Sequence, residues 1–318
     1  MDNNRNRHML DLDQLSKVQI EELLGSALKY KDILQRDMKK QDELRGKIVV
    51  TLFYEASTRT RMSFEEAGKI LGSDVINVSA SGSSVEKGES LVNTAKTIEA
   101  MNVDVVIIRH PHSGAPYILA EQFESASVIN AGDGTHAHPT QALLDLFTIL
   151  DHVDSIQGLK VAIVGDVIHS RVARSNIHGL LKLGANVVLC GPSTLLPKST
   201  PWSEYYESQG SLDLVTDLDE ALNKADVVMT LRLQNERQLS GYIPSEREYI
   251  AKWQINSESI GRNCPDAWIM HPGPMNEGIE ISESVAKGPK SLIQEQVENG
   301  VAIRMAVLKS VCDIRSGI

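Results

Sequence analysis

Five consecutive residues, Ser57-Thr58-Arg59-Thr60-Arg61, combine hydroxyl and guanidinium donors at one point in the chain. They follow the apolar run Val49-Val50-Thr51-Leu52-Phe53 and open a helical pattern in which Phe64, Ala67, Ile70 and Leu71 share a face before Gly72. The first turn of a helix leaves backbone N–H groups without intrahelical partners, and its aligned peptide dipoles make that end partly positive. Hydroxyls that donate, and an arginine fork that grips two oxygens, turn such a terminus into a cradle for a phosphate dianion. One hydroxyl is enough for capping, so the rest of this segment is available for a ligand.

Similar groups recur after other apolar runs. Arg109-His110-Pro111 ends one run, and Ala131-Gly132-Asp133-Gly134 leads from another to His136, His138 and Gln141. In the second half Gly165-Asp166 precedes His169, Ser170 and Arg171, while Arg232, Gln234 and Arg237 follow a further run and His271-Pro272-Gly273-Pro274 the last. Cations and hydrogen-bond donors dominate these positions. There is no Gly-x-Ser-x-Gly elbow and no Walker A loop, and Gly165-Asp166-Val167 lacks the later glycines of a dinucleotide fingerprint. Fixed donors of this kind suit stabilisation of a developing oxyanion and a departing phosphate. Two His-x-His pairs, His110-Pro111-His112 and His136-Ala137-His138, leave metal-dependent amide hydrolysis as an alternative, although no further ligand set is apparent to complete a metal site.

The elements that must hold these groups alternate β-branched runs with amphipathic segments, the pattern of parallel sheets with crossover helices. Strands are expected near 47–53, 74–78, 103–109 and 127–130, then near 160–165, 186–190, 212–216, 226–231 and 267–270. Helices are expected near 58–71, 89–101 and 115–122, with a bridging helix over 139–151. Val297, Val301, Met305, Leu308 and Cys312 repeat at helical spacing and predict one long helix over about 290–314 that returns to the first domain. The fold class is therefore α/β, with two doubly wound parallel-sheet domains. In such sheets ligands bind beyond the carboxyl ends of the strands, where the polar groups cluster.

A chain of 318 residues can build two cores, and 42% apolar with 23% charged residues is ordinary for a globular protein. The 32 basic residues against 42 acidic ones give a net charge of −10, which argues against general affinity for nucleic acid or an anionic membrane. Cys190, Cys264 and Cys312 show no paired spacing, and the N-terminal residues are charged instead of apolar, so a reduced, cytoplasmic setting is expected.

Taken together, the motifs resemble the aspartate/ornithine carbamoyltransferase family over essentially the whole chain. The likeness rests on Phe53 to Arg61, on Ser83-Ser84-Val85-Glu86-Lys87-Gly88-Glu89, on Ile108-Arg109-His110, on Asn130 to Gly134 with His138-Pro139-Thr140-Gln141, on Arg232-Leu233-Gln234-Asn235-Glu236-Arg237, and on His271 to Pro274. The ornithine branch would carry a His-Cys-Leu-Pro segment where this chain has His271-Pro272-Gly273-Pro274, so the resemblance points to the aspartate branch. Aspartate brings two carboxylates that call for arginine forks, whereas the ornithine side chain brings a cation.

The resemblance implies a carbamoyl-phosphate domain over 1–138, a bridging helix over 139–151, an aspartate domain over 152–289 and a returning helix over 290–318. It implies transfer of a carbamoyl group from carbamoyl phosphate to L-aspartate in pyrimidine synthesis, with no cofactor and no metal. Ser57, Thr58, Arg59, Thr60 and Arg109 would hold the phosphate, with Ser83 or Ser84; Thr60, Arg109 and His138 would polarise the carbamoyl oxygen, and Gln141 would hold its amide. Arg171, Arg232 and Gln234 would bind aspartate carboxylates, and carbonyls near Gly273 and Pro274 would orient the amines. Glu55 would pair with Arg171 and Arg237 to hold a closed form. Lys87, a catalytic and aspartate-binding residue by the same resemblance, would reach a neighbouring subunit's site, which implies a homotrimer with shared active sites. A regulatory chain or a dihydroorotase-like chain is a candidate further partner, while no nucleic-acid or membrane partner is expected. An ornithine-type enzyme, and a catalytically inactive paralogue that keeps the fold, are the remaining alternatives.

Overall fold

The computed structural model describes residues 7–79, 90–199, 210–234 and 245–316. The chain divides into two units, one comprising Met1–Leu144 with Val297–Ile318 and the other Asp145–Gln296.

The first unit opens with α1 (Lys17–Leu34), which begins in a capping box made by Ser16 and Gln19. It continues through β1 (Ile48–Phe53), α2 (Thr58–Ile70), β2 (Asp74–Ser79), α3 (Leu91–Ala100), β3 (Val105–His110), α4 (Ala115–Gln122) and β4 (Ser127–Asp133) into α5 (Pro139–Leu150). The strands pair in parallel in the order β2-β1-β3-β4. Val50, Leu52, Val106 and Ile108 pack with Ala95, Ile98, Leu119 and Phe123 in one core. The outer edge of β4 is covered by the N-terminal segment: Met9 donates to the Val128 carbonyl at 2.8 Å and accepts from the Asn130 N–H at 2.8 Å.

The second unit runs through β5 (Lys160–Val164), α6 (Arg171–Lys182), β6 (Asn186–Cys190), β7 (Ser211–Val215), α7 (Leu218–Leu222), β8 (Val227–Thr230), α8 (Glu246–Trp253), α9 (Ser257–Asn263), β9 (Trp268–Met270) and α10 (Glu283–Ala286). Its parallel sheet has the order β7-β6-β5-β8-β9. Ala162, Val164, Val188 and Val228 pack with Tyr249, Trp253 and Ile269.

Each sheet changes direction beside its first strand, between β1 and β3 in one and between β5 and β8 in the other. These are the points where an open α/β sheet leaves a crevice at its carboxyl edge. The last helix, α11 (Ile293–Ser316), differs from the amphipathic stripe expected of it. Val297 is 47% exposed, while Ala302, Ile303, Met305, Ala306, Val307 and Leu308 are all buried. A helix enclosed on most sides needs apolar residues all round, and this masks the simple period.

Candidate active site

The first switch point collects the phosphate-type donors. Ser57 takes the N-cap position of α2 in extended conformation, yet its hydroxyl makes no capping hydrogen bond. It donates instead to Thr60 Oγ1 at 3.0 Å. In α1 and α3 the serine caps do accept a backbone N–H. At α2 the first-turn N–H groups are thus left without a capping side chain, beside Thr58 and Arg59, which are exposed at the surface.

Arg109 is delivered to the same place by the sheet. In the ladder between β1 and β3 it lies opposite Phe53, and in the ladder between β3 and β4 the register shifts between Ile108 and His110. A bulge of this kind re-aims one side chain without ending the strand. The guanidinium donates to the Ala131 carbonyl at 3.2 Å and to Glu55 Oε1 at 2.5 Å. Glu55, expected to hold a closed form, is therefore found on the principal phosphate-type arginine of its own unit. Arg237, one of its expected partners, lies outside the described residues, as do Ser83, Ser84 and Lys87.

His138 and Gln141 enter through α5. Pro139 starts the helix, where its missing N–H costs nothing, and the Gln141 and Ala142 N–H groups donate to the His138 carbonyl at 3.1 and 3.2 Å. His138 and Gln141 are buried. The loop before them is organised by Asp133, whose carboxylate is fully buried and accepts from the Gly114 N–H at 2.7 Å, Asn130 Nδ2 at 2.8 Å and the Ala137 N–H at 3.1 Å. Gly134, at φ +47°, could not carry a side chain, since a Cβ would lie 2.4 Å from Ser113 Oγ. Asp133 is a positioning group that residue types alone did not single out; the signal was a carboxylate between two glycines at a strand end.

One ring of each histidine pair has a protein partner. His110 Nδ1 accepts from the His112 N–H at 3.0 Å, and His136 Nδ1 lies 3.2 Å from Asp133 Oδ2. Burial, with the neighbouring His112, holds the His110 imidazole below its ordinary pKa. Among the described residues, no group of three or more His, Cys, Asp or Glu is placed to hold a metal. Burial also pushes the Cys190 thiol up to about 12 and Cys264 to about 11, so neither offers a thiolate nucleophile near neutral pH.

In the second unit, the expected carboxylate-binding residues again follow strand ends. Gly165 has φ +132°, and a Cβ there would meet the Leu231 carbonyl at 2.8 Å, which marks how closely the ends of β5 and β8 approach. Asp166, fully buried, lies 2.8 Å from His169 Nδ1. Ser170 caps α6 by accepting from the Ala173 N–H at 3.1 Å, and Arg171 is the first helical residue, itself buried. After β8, Leu231 and Leu233 are buried while Arg232 and Gln234 are half-buried, the alternation of an extended segment. Gly273, at φ +59°, follows β9 and His271.

Two consecutive parallel-sheet units, each with donors at its switch point, match two family models. Residues 7–151 match the carbamoyl-phosphate-binding domain of aspartate/ornithine carbamoyltransferases, and residues 157–311 match their aspartate/ornithine-binding domain. The chain belongs to the aspartate/ornithine carbamoyltransferase family. Within it, the chain is 53% identical over 304 residues to the aspartate carbamoyltransferase catalytic subunit of Roseiflexus sp. (strain RS-1), covering 96% of this chain and 94% of that one. It is 51% identical to the corresponding subunit of Chloroflexus aggregans, with 96% and 97% covered. Aspartate transcarbamoylase from Trypanosoma cruzi, solved with carbamoyl aspartate and phosphate, superposes with a TM-score of 0.85 at 30% identity over 96% of each chain. Ornithine carbamoyltransferase from Pyrococcus furiosus gives the same TM-score and identity over 95% of this chain and 96% of that one, so the fold alone does not separate the two branches.

Proposed function

We infer that the chain transfers the carbamoyl group of carbamoyl phosphate to the α-amino group of L-aspartate, giving N-carbamoyl-L-aspartate and phosphate, as a step of pyrimidine synthesis. The observation that carries this reading is the uncapped Ser57–Arg61 helix start beside Arg109, in a chain about half identical to aspartate carbamoyltransferase catalytic subunits. Aspartate is favoured over ornithine by the guanidiniums of Arg171 and Arg232 and by His271-Pro272-Gly273-Pro274. The hydrolase reading is not favoured, because Nδ1 of one ring in each His-x-His pair, His110 and His136, lies against a protein group, and among the described residues no further ligands are grouped to complete a metal site.

In this proposal the phosphate of carbamoyl phosphate sits on the free N–H groups of α2, on Ser57, Thr58, Arg59 and Thr60, and on Arg109, from which it must displace Glu55. His138, Arg109 and Thr60 polarise the carbamoyl oxygen, and Gln141 holds the amide. Arg171, Arg232 and Gln234 take the aspartate carboxylates, while the carbonyls around Gly273 and Pro274 orient the amine. The neutral α-amine attacks the carbamoyl carbon, and the tetrahedral intermediate collapses with cleavage of the bond to phosphate oxygen. The departing phosphate accepts the amine proton, so no separate strong base is required. Positioning of two bound reactants can contribute about 7–11 kcal/mol to such a step. The closure role of Glu55 with Arg171 and Arg237 remains part of the proposal, as does the assignment of Ser83 or Ser84 to the phosphate.

The decisive assay supplies carbamoyl phosphate with L-aspartate or L-ornithine in chelator-treated buffer and follows phosphate and the carbamoylated amino acid. Carbamoyl aspartate is expected, with no product from ornithine. Absence of product from a folded sample with either acceptor would overturn the reading.

Lys87 is proposed to serve the neighbouring subunit of a homotrimer. Mixing inactive Lys87→Ala and Arg59→Ala chains is then expected to restore activity, since a hybrid can assemble an intact site from one subunit's Arg59 and another's Lys87. Verified mixed trimers that stay inactive would rule out shared sites.

No helix among the described residues is long and apolar enough to cross a membrane. A cytoplasmic location is part of the same proposal, as is any regulatory or dihydroorotase-like partner.

A further inference from the structure

From His271, which directly follows β9, runs a chain of buried polar side chains in the second unit. Asp145 is fully buried and accepts from Asn176 Nδ2 at 2.7 Å and from Gln296 Nε2 at 2.8 Å. The other end of the Gln296 amide accepts from the His271 backbone N–H at 3.0 Å. His271 and Glu280 are themselves buried, with side chains at 0% exposure. His271 Nδ1 accepts from the Gly273 N–H at 2.8 Å. A backbone N–H can only donate, so Nδ1 is the unprotonated nitrogen and Nε2 carries the proton, which points at Glu280 Oε1 across 3.2 Å. The same Glu280 oxygen accepts from the Asn276 N–H at 2.6 Å, and Asn276 Nδ2 reaches the Leu233 carbonyl at 3.5 Å.

These bonds tie together the three segments assigned to aspartate. Asn176 lies on α6, whose first residue is Arg171; Leu233 stands between Arg232 and Gln234; and Gly273 is held on one side by His271 while Asn276 is held on the other by Glu280. Burying a carboxylate is costly unless hydrogen bonds are made to it; here Asp145 and Glu280 each accept two, while Asn176 Oδ1 and Glu280 Oε2 are the buried atoms of the network without a partner among the described residues, and bonds of this kind fix one geometry. Neither His271 nor Glu280 is in the set of proposed substrate contacts.

We propose that Glu280, acting through His271 and Asn276, is a positioning residue for the acceptor substrate: it holds the Gly273-Pro274 loop in register with the Arg232-Gln234 segment. This rests on the assignment of those residues to aspartate. What Glu280 supplies is an oxygen of the right reach, so a neutral side chain of equal length serves. Its Oε2 has no hydrogen-bond partner among the described residues, and an amide nitrogen placed there breaks no bond.

Three variants of the full chain separate reach from charge. Glu280→Gln keeps the acceptor and its reach, Glu280→Asp keeps the charge but draws the oxygen back by one methylene, and Glu280→Ala removes both. Steady-state kinetics should show KM for aspartate raised about tenfold in the Asp and Ala variants, with kcat and KM for carbamoyl phosphate within about threefold, and the Gln variant close to the parent. Hydrogen exchange over 271–282 should accelerate in the Asp and Ala variants and not in the Gln variant. If Glu280→Gln behaves as Glu280→Ala does, if the KM values for both substrates rise together, or if aspartate kinetics are unchanged in folded Glu280→Asp, the brace is overturned. Should Glu280→Ala fail to fold, the Asp and Gln pair decides. Should the parent fail to carbamoylate aspartate, the functional reading fails, and the exchange data still decide whether Glu280 holds the loop.

Discussion

Replacing Arg109 with alanine is expected to lower kcat/KM for carbamoyl phosphate by about 10³ while leaving a folded protein. One preorganised donor to a developing oxyanion is worth about 10²–10³ in kcat, and this guanidinium is assigned to both the carbamoyl oxygen and the phosphate. The side chain is only 11% exposed, so its charge acts with little screening. Lysine at this position should recover only part of the loss, because a single ammonium cannot bond the Ala131 carbonyl and a phosphate with the same fork. The Glu55 carboxylate left behind is 24% exposed and can be hydrated, so folding is not expected to fail.

Glu55→Gln is the companion measurement. It removes the anion that now lies against Arg109, so carbamoyl phosphate should bind at least as tightly as to the parent while aspartate use weakens. Calorimetric titration with carbamoyl phosphate, together with steady-state kinetics, reads both variants. An Arg109→Ala enzyme within threefold of the parent would remove Arg109 from the site.

The contact between Glu55 and Arg109 also shows where residue patterns stop being informative. Each of the nine strands of the two sheets falls within about three residues of an apolar run read from the chain, because runs rich in apolar and β-branched residues stand out both in buried strands such as β4 and β8 and in the exposed β7. The order of strands does not follow from such runs. That β1 lies beside β3, placing Phe53 opposite Arg109 and Glu55 within reach of the guanidinium, is a property of the folded sheet. The pairing of Glu55 with Arg171 and Arg237 that the resemblance implies is a separate proposal, which this contact does not test.

Helix α1 lies outside the elements expected from the apolar runs, although Ser16-x-x-Gln19 before Ile20, Leu23, Leu24 and Ala27 is a capping signal followed by helical spacing. The carboxylates that organise the loops were harder to find. Asp133, Asp166 and Glu280 are all fully buried, yet in the sequence they are three ordinary acidic residues near glycines or turns. Their partners are backbone N–H groups and side chains brought to them by loops whose course no local periodicity encodes. The substrate-type donors were legible because a hydroxyl or guanidinium at a strand end has few structural reasons to be there. The groups that aim them were not, because any buried carboxylate looks alike until its donors are known.

Arg232→Ala carries the second large effect, on aspartate alone. Arg232 is half-buried in an extended segment with its neighbours Leu231 and Leu233 turned into the core, so truncation should leave the fold in place. Loss of a charge-assisted fork on a substrate carboxylate should raise KM for aspartate about 100-fold, by the roughly 1.5–3 kcal/mol such bonds contribute. Carbamoyl phosphate binding is expected to be unchanged, since its assigned residues all lie in the first unit. The sharper form of the experiment removes both partners in turn. L-asparagine lacks the side-chain carboxylate, and the α-amide of aspartate lacks the other. Whichever carboxylate Arg232 holds, the analogue missing it should lose much less on going from parent to variant than aspartate does, because an interaction already absent cannot be removed twice. Equal losses for all three acceptors would mean that Arg232 shapes the loop without binding substrate, and the carboxylate assignment would then fall to Arg171, buried at the start of α6.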